Sequence, residues 1–118
     1  MQTADAFLLP SKTVPSGDQE GTPIVLVESQ ATGLPCVTTR HAGIPEMIPE
    51  SNHHLLVEEG DIEGMSDRLC RVAQMDVDEL QIIAQQGREK IENEFSLTGE
   101  VQKLRCIYES VVSATTRR

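Results

Sequence analysis

The densest group of chemically able residues is Glu20-Gly21-Thr22-Pro23-Ile24-Val25-Leu26-Val27-Glu28. Thr22-Pro23 reads as an N-cap residue followed by proline at the first helical position. Gly33 sits where such a helix would end. Glu20 then lies just outside the helix start and Glu28 inside it. The unpaired N–H groups of a first turn and the helix dipole together form an anion site. Gly21 lets a ligand approach the backbone. At ~1.5 Å rise per residue, Glu28 stands ~7.5 Å along the helix from Pro23. That layout suits a nucleoside diphosphate sugar: phosphate on the helix start, sugar near Glu20, ribose diol near Glu28. A carboxylate can accept hydrogen bonds from both hydroxyls of a diol. Two glutamates at this spacing also arise by accident, so spacing alone does not decide.

The flanking elements alternate. Ala6–Leu9 is a short apolar run closed by Pro10-Ser11, read as a buried strand. Residues 12–21 are polar and rich in Gly and Pro, hence a loop. After the Ile24–Thr32 helix, the β-branched run 36–39 is a second strand. Strand, helix and strand within about 35 residues make a βαβ unit. A loop at 43–46 leads into at most a short helix, and His54–Val57 is a third, edge-like strand. Beyond Gly60 the pattern is helical. Asp61 caps a helix with Ile62, Met65, Leu69, Val72 and Ala73 inward. Asp76 and Glu79 have capping-box spacing ahead of Leu80, Ile83, Ala84 and Ile91. Ser96 opens a last helix with Val101, Leu104, Ile107, Tyr108 and Val111 inward. The expectation is an α/β chain forming one partial domain over 1–118. Residues 1–60 would be the βαβ core and 61–118 the C-terminal helices. So narrow a parallel sheet needs cover on both faces and suggests a larger assembly.

Composition excludes several functions. The 118 residues carry 10 Lys+Arg against 19 Asp+Glu, a net charge of −9. Nucleic-acid backbones and anionic membranes call for the opposite sign. With no Trp, one Tyr and two Phe, the core must be aliphatic, and an aromatic stacking surface is not expected. The first ten residues hold Asp5 and no basic residue, unlike a signal peptide. No apolar run is long enough for a membrane span. Cys36, Cys70 and Cys106 are too widely spaced for a zinc site and odd in number, and read as reduced, mostly buried thiols. His41, His53 and His54 fit no metal-ligand pattern. His41 and Ser11 are candidate cleft residues. Glu58, Glu59, Asp61 and Glu63 read as a solvated acidic edge, and Met47, Met65 and Met75 as core filler.

Residues 4–11 (ADAFLLPS), 20–28 (EGTPIVLVE), 31–39 (ATGLPCVTT) and 41–46 (HAGIPE) resemble the C-terminal half of a GT-B glycosyltransferase. The family is the large retaining group whose signature is Glu-x7-Glu, matched by Glu20 and Glu28 without a gap. It includes relatives of glycogen and sucrose synthases and bacterial polysaccharide mannosyl- and galactosyltransferases. The resemblance is strong over about residues 4–63 and weak in the helices that follow. HAGIPE is most similar to enzymes of exopolysaccharide assembly. It implies a Rossmann-like, donor-binding domain and transfer of a hexose with retention, from a UDP- or GDP-sugar to a saccharide or lipid-linked acceptor. It implies that Glu20 is the catalytic residue, hydrogen-bonded to the donor sugar near the reacting carbon, that Gly21, Thr22, Pro23 and Ile24 meet sugar and diphosphate, and that Glu28 holds the ribose. It also implies no metal cofactor and a cytoplasmic location, at the membrane face in a full-length enzyme.

Three departures stand out. Thr22 occupies a position that is usually bulky, Asn52-His53-His54 replaces a common Gly, and the family's acceptor domain and diphosphate-gripping Arg/Lys pair belong upstream of Met1. The isolated chain is therefore expected to be inactive. Two rivals remain: a truncated module that pairs with its missing half or forms a homodimer, and a phosphate-binding regulatory domain in which both glutamates are dispensable.

Overall fold

The computed structural model describes residues 3–19 and 21–116. Three strands, β1 (Phe7–Leu9), β2 (Cys36–Thr39) and β3 (Leu56–Val57), form a parallel sheet in the order β1-β2-β3. Phe7 is level with Cys36 and Thr38 with Leu56. Between β1 and β2 runs α1 (Ile24–Ala31). A four-residue α2 (Ile44–Met47) and a 3-10 turn (Glu50–Leu55) lie between β2 and β3. The chain ends in α3 (Ile62–Gln74), α4 (Val77–Glu94) and α5 (Leu97–Thr116).

Strand pleating divides the core in two, because successive side chains point to opposite faces. Cys36 and Leu56 join Leu26 of α1 with Ile44, Met47 and Ile48, and Phe7, Leu9 and Phe95 pack against them. Val37 and Val57 face the other way, toward Met65 and Val72 of α3 and Ile83 of α4. The sheet is thus covered on both faces, as a parallel sheet requires. Helix α4 packs Ile83 and Leu80 into the second cluster, Phe95 just past its end packs on the first, and polar contacts stitch it to its neighbours. Asn52 Nδ2 donates to the Ile83 carbonyl at 3.1 Å, and Arg88 Nε to the Ala31 carbonyl at 3.2 Å.

Most boundaries follow from local chemistry. Asp61 accepts the Gly64 N–H and starts α3, while Asp76 and Glu79 form a reciprocal capping box at α4. Gly33, at φ +82°, supplies the left-handed residue after α1.

Five expectations are corrected. Helix α1 begins one residue later than read: Pro23 itself, at φ −69° and ψ 114°, holds the cap position and Thr22 lies outside. The third strand spans only Leu56–Val57, because 50–55 wind into the 3-10 turn. Of the five residues read as the inward face of α3, only Met65 and Val72 are buried, and Ile62, Leu69 and Ala73 are exposed. Cys70 and Cys106 are exposed and only Cys36 is buried. Most consequentially, no residue of α5 is buried, and Val101, Leu104, Ile107, Tyr108 and Val111 all face solvent. The stripe is real, but α5 leaves the body after Phe95. The Cα radius of gyration is 17.6 Å, with extents of 62 × 39 × 23 Å. A compact chain of this length would have about 13.5 Å.

Candidate functional site

All three strands are parallel, so all three connections leave at one edge, the strands' carboxyl ends. In open α/β sheets ligands bind outside that edge. Here it carries the β1–α1 loop (10–23), the turn Arg40–Gly43 after β2 and the turn Glu58–Asp61 after β3.

Helix α1 opens at this edge. The Pro23 carbonyl accepts from Leu26 N at 3.0 Å, which leaves the N–H groups of Ile24 and Val25 without an intrahelical acceptor. The Pro23 side chain is buried, while Ile24 is 70% exposed and Glu28, one turn on, is exposed on the same face. Thr22 is exposed, and the space beside the Gly21 Cα is open. A Cβ on Gly43 would meet the Gly21 carbonyl at 3.1 Å, so the β2–α2 turn and the start of α1 touch. Gly21, Thr22, Ile24 and Glu28 are therefore brought to one open face. Glu20 lies outside the described residues.

The loop leading to α1 is fixed at its base. Thr38 Oγ1 donates to the Leu9 carbonyl at 2.8 Å and Thr39 Oγ1 to the Ser11 carbonyl at 2.6 Å. Ser11 is half-buried at the end of β1. His41 is 1% exposed, and its Nδ1 lies 2.7 Å from Glu59 Oε1. Glu59 also accepts from Thr13 N at 2.9 Å and Thr13 Oγ1 at 3.2 Å. These bonds, the Thr13 amide first and His41 next, hold the Glu59 carboxyl below the usual glutamate range. Glu59 is thus a structural tie rather than one more solvated acid. Its partners lie 46 and 18 residues away, and no local pattern announces them.

Beside this tie, Pro10, Lys12, Thr39, Gly60, Asp61, Ile62 and Met65 line a cavity of about 230 Å³. A larger, open groove of about 710 Å³ lies between the C-terminal end of α1 and α4, lined by Thr32, Gly33 and residues of α4. It gathers nothing from the strands' carboxyl edge, so the edge remains the better site.

His53 Nε2 lies 3.0 Å from both the Pro45 and Ile48 carbonyls, a structural role in the α2 turn. Among the described residues no three His, Cys, Asp or Glu side chains are grouped to hold a metal ion. No helix among them is long and apolar enough to cross a membrane.

Residues 1–75 match the sequence profile of the family described as glycosyl transferases group 1. The chain belongs to this family. It is 43% identical over 96 residues to an Escherichia coli protein provisionally named colanic acid biosynthesis glycosyltransferase WcaL, covering 81% of this chain and 24% of that one. It is 41% identical over 96 residues to the amylovoran biosynthesis glycosyltransferase AmsK of Erwinia amylovora, covering 81% and 23%. It is 31% identical over 112 residues to an E. coli UDP-Gal:alpha-D-GlcNAc-diphosphoundecaprenol alpha-1,3-galactosyltransferase, covering 95% and 27%. The chain therefore spans about a quarter of the length of these relatives. No solved structure matches it. The profile match takes in both site turns and the whole of α1 to α3, so the carboxyl edge belongs to the family-like part of the chain.

Proposed function

We propose that this glycosyl transferases group 1 chain is the donor-binding part of a retaining glycosyltransferase. The reaction would move a hexose from a UDP- or GDP-sugar to a saccharide or lipid-linked acceptor on the cytoplasmic side of the membrane. The observation that carries this reading is the start of α1. An open helix N-terminus stands at the carboxyl edge of a parallel sheet, with Ile24 and Glu28 exposed on one face. In this reading the diphosphate rests on the N–H groups of the first turn, whose dipoles stabilise charge as the diphosphate departs. Gly21, Thr22 and Pro23 form the wall beside it, and Glu28 takes the ribose hydroxyls. Glu20 holds the donor sugar near the reacting carbon. Ser11 and His41 form the base of the cleft. The helix start does the electrostatic work, so no metal ion is invoked. The chain alone would bind a donor without turning it over, because the acceptor side of the cleft belongs to other segments of the relatives.

Calorimetric titration with UDP-, GDP- and ADP-sugars tests this. Saturable binding near millimolar, about −4 kcal/mol, that survives EDTA and is lost in Glu28→Gln and Glu20→Gln supports it. Binding that ignores both substitutions supports a phosphate site without sugar transfer. Transfer of sugar by the chain alone would overturn the half-site reading. A homodimer is a further proposal, favoured by the uncovered stripe of α5. Light scattering at twice 13.0 kDa supports it, and a monomer at high concentration rejects it.

A further inference from the structure

One carboxylate ties together all three connections that leave the carboxyl edge of the sheet. Glu59 belongs to the β3–α3 turn, His41 to the β2–α2 turn and Thr13 to the β1–α1 loop. The His41 ring is 1% exposed, so its bond to Glu59 is shielded from water on one side. The Glu59 side chain is itself one-third exposed and contributes nothing to either apolar cluster. Its three hydrogen bonds spend both carboxylate oxygens, Oε1 on His41 and Thr13 Oγ1 and Oε2 on the Thr13 amide. Bonds to an ionised acceptor are about twice as strong as neutral ones.

From the geometry we propose that Glu59 is a positioning residue, which clasps the β1–α1 loop through Thr13 and buried His41 and so sets where the start of α1 is presented. This rests on the donor-site reading for its consequence, though not for the clasp itself. The clasp acts on the loop's path rather than on core stability. Thr13 is bonded to the turn after β3, and Gly21, at the far end of the same loop, lies against Gly43. The hydrogen bond from Thr39 to the Ser11 carbonyl anchors the same loop two residues before Thr13. The exposed ion pair between Arg40 and Glu58, at 3.5 Å, bridges two of the same turns. Solvent screening leaves such a pair little strength, so Glu58 is the natural control.

Amide exchange on the 118-residue chain reads the clasp directly. Glu59→Ala is expected to speed exchange at Thr13 and through residues 12–22 by about tenfold. Exchange in β2 and α4 should stay near wild type, and the melting temperature at neutral pH should fall only slightly, by the clasp's own contribution. Glu59→Gln, which keeps one carbonyl oxygen for the Thr13 amide, should restore part of the protection, and Glu58→Ala should change nothing. Unchanged loop exchange in Glu59→Ala overturns the clasp. So does a rise spread evenly over the chain, which would mark a general loss of stability. The consequence is read by calorimetry with UDP-glucose and GDP-mannose. The affinity of whichever binds should fall about tenfold in Glu59→Ala, with partial recovery in Glu59→Gln. Undiminished affinity with faster loop exchange would overturn the positioning role. A wild-type chain that binds neither nucleotide sugar would overturn the donor reading, while the exchange result would still decide the clasp.

Discussion

At the residue scale, two groups owe their chemistry to where the chain puts them. Burial pushes the Cys36 thiol up to about 12, so at neutral pH it is a thiol and a poor nucleophile. Cys70 and Cys106 are exposed. A thiol-reactive dye should label two cysteines in the native chain and three after denaturation. Three fast native reactions would contradict the burial of Cys36. Glu59 is shifted the other way, below its ordinary 4.5, by the Thr13 amide and His41. Folding therefore favours its ionised form. Its contribution is complete above the ordinary glutamate range and is lost as pH falls through the lowered value. Melting temperature should drop more steeply below about pH 4.5 in wild type than in Glu59→Gln. Parallel acid limbs would show that other carboxylates govern acid unfolding.

At the element scale, the helices that capping residues announce are the ones whose starts the sequence places well. Asp61 and Asp76 accept the backbone N–H groups expected of them. Asp76→Ala removes one side of the capping box and should cost about 1 kcal/mol in chemical unfolding. A neutral result would mean that packing alone fixes the start of α4. Helix α1 is the instructive exception. Its apolar run Ile24–Val27 has strand propensity, and Pro23 takes the cap position without a side-chain hydrogen bond. The helix is held by Leu26, which is fully buried against the sheet, and by the Gln30 amide, which donates to the Met47 carbonyl at 3.0 Å. Tertiary packing, rather than its cap, stabilises the element that carries the candidate site.

At the scale of the whole molecule, α5 sets the outline. Leu97, Val101, Leu104, Tyr108 and Val111 recur at alternating spacings of four and three, the seam of a packed helix, and all are exposed. Val111→Ser should therefore change the stability of a monomeric chain by no more than about 0.5 kcal/mol. A loss of about 2 kcal/mol or more, growing with protein concentration, would show that a second copy covers the stripe. In the rest of the fold the strands pair in chain order, and α4 closes the second cluster through Ile83 and Leu80 while bonding the 3-10 turn and α1.

The sequence alone determined the parallel strand–helix–strand core, two of the helix caps, the glycines that flank α1 and the family to which the chain belongs. Each is written in local spacing: alternation of apolar runs, capping residues a few positions apart, and a contiguous motif. Tertiary structure alone decided three other matters. It showed which of four neighbouring acids is a tie, because Glu59 acquires its partners across 18 and 46 residues. It showed that His41 is buried beneath the edge of the sheet. It showed that the amphipathic stripe of α5 has no partner among the described residues. Periodicity tells a helix which face wants cover, but the surface that covers it is a property of the assembled molecule.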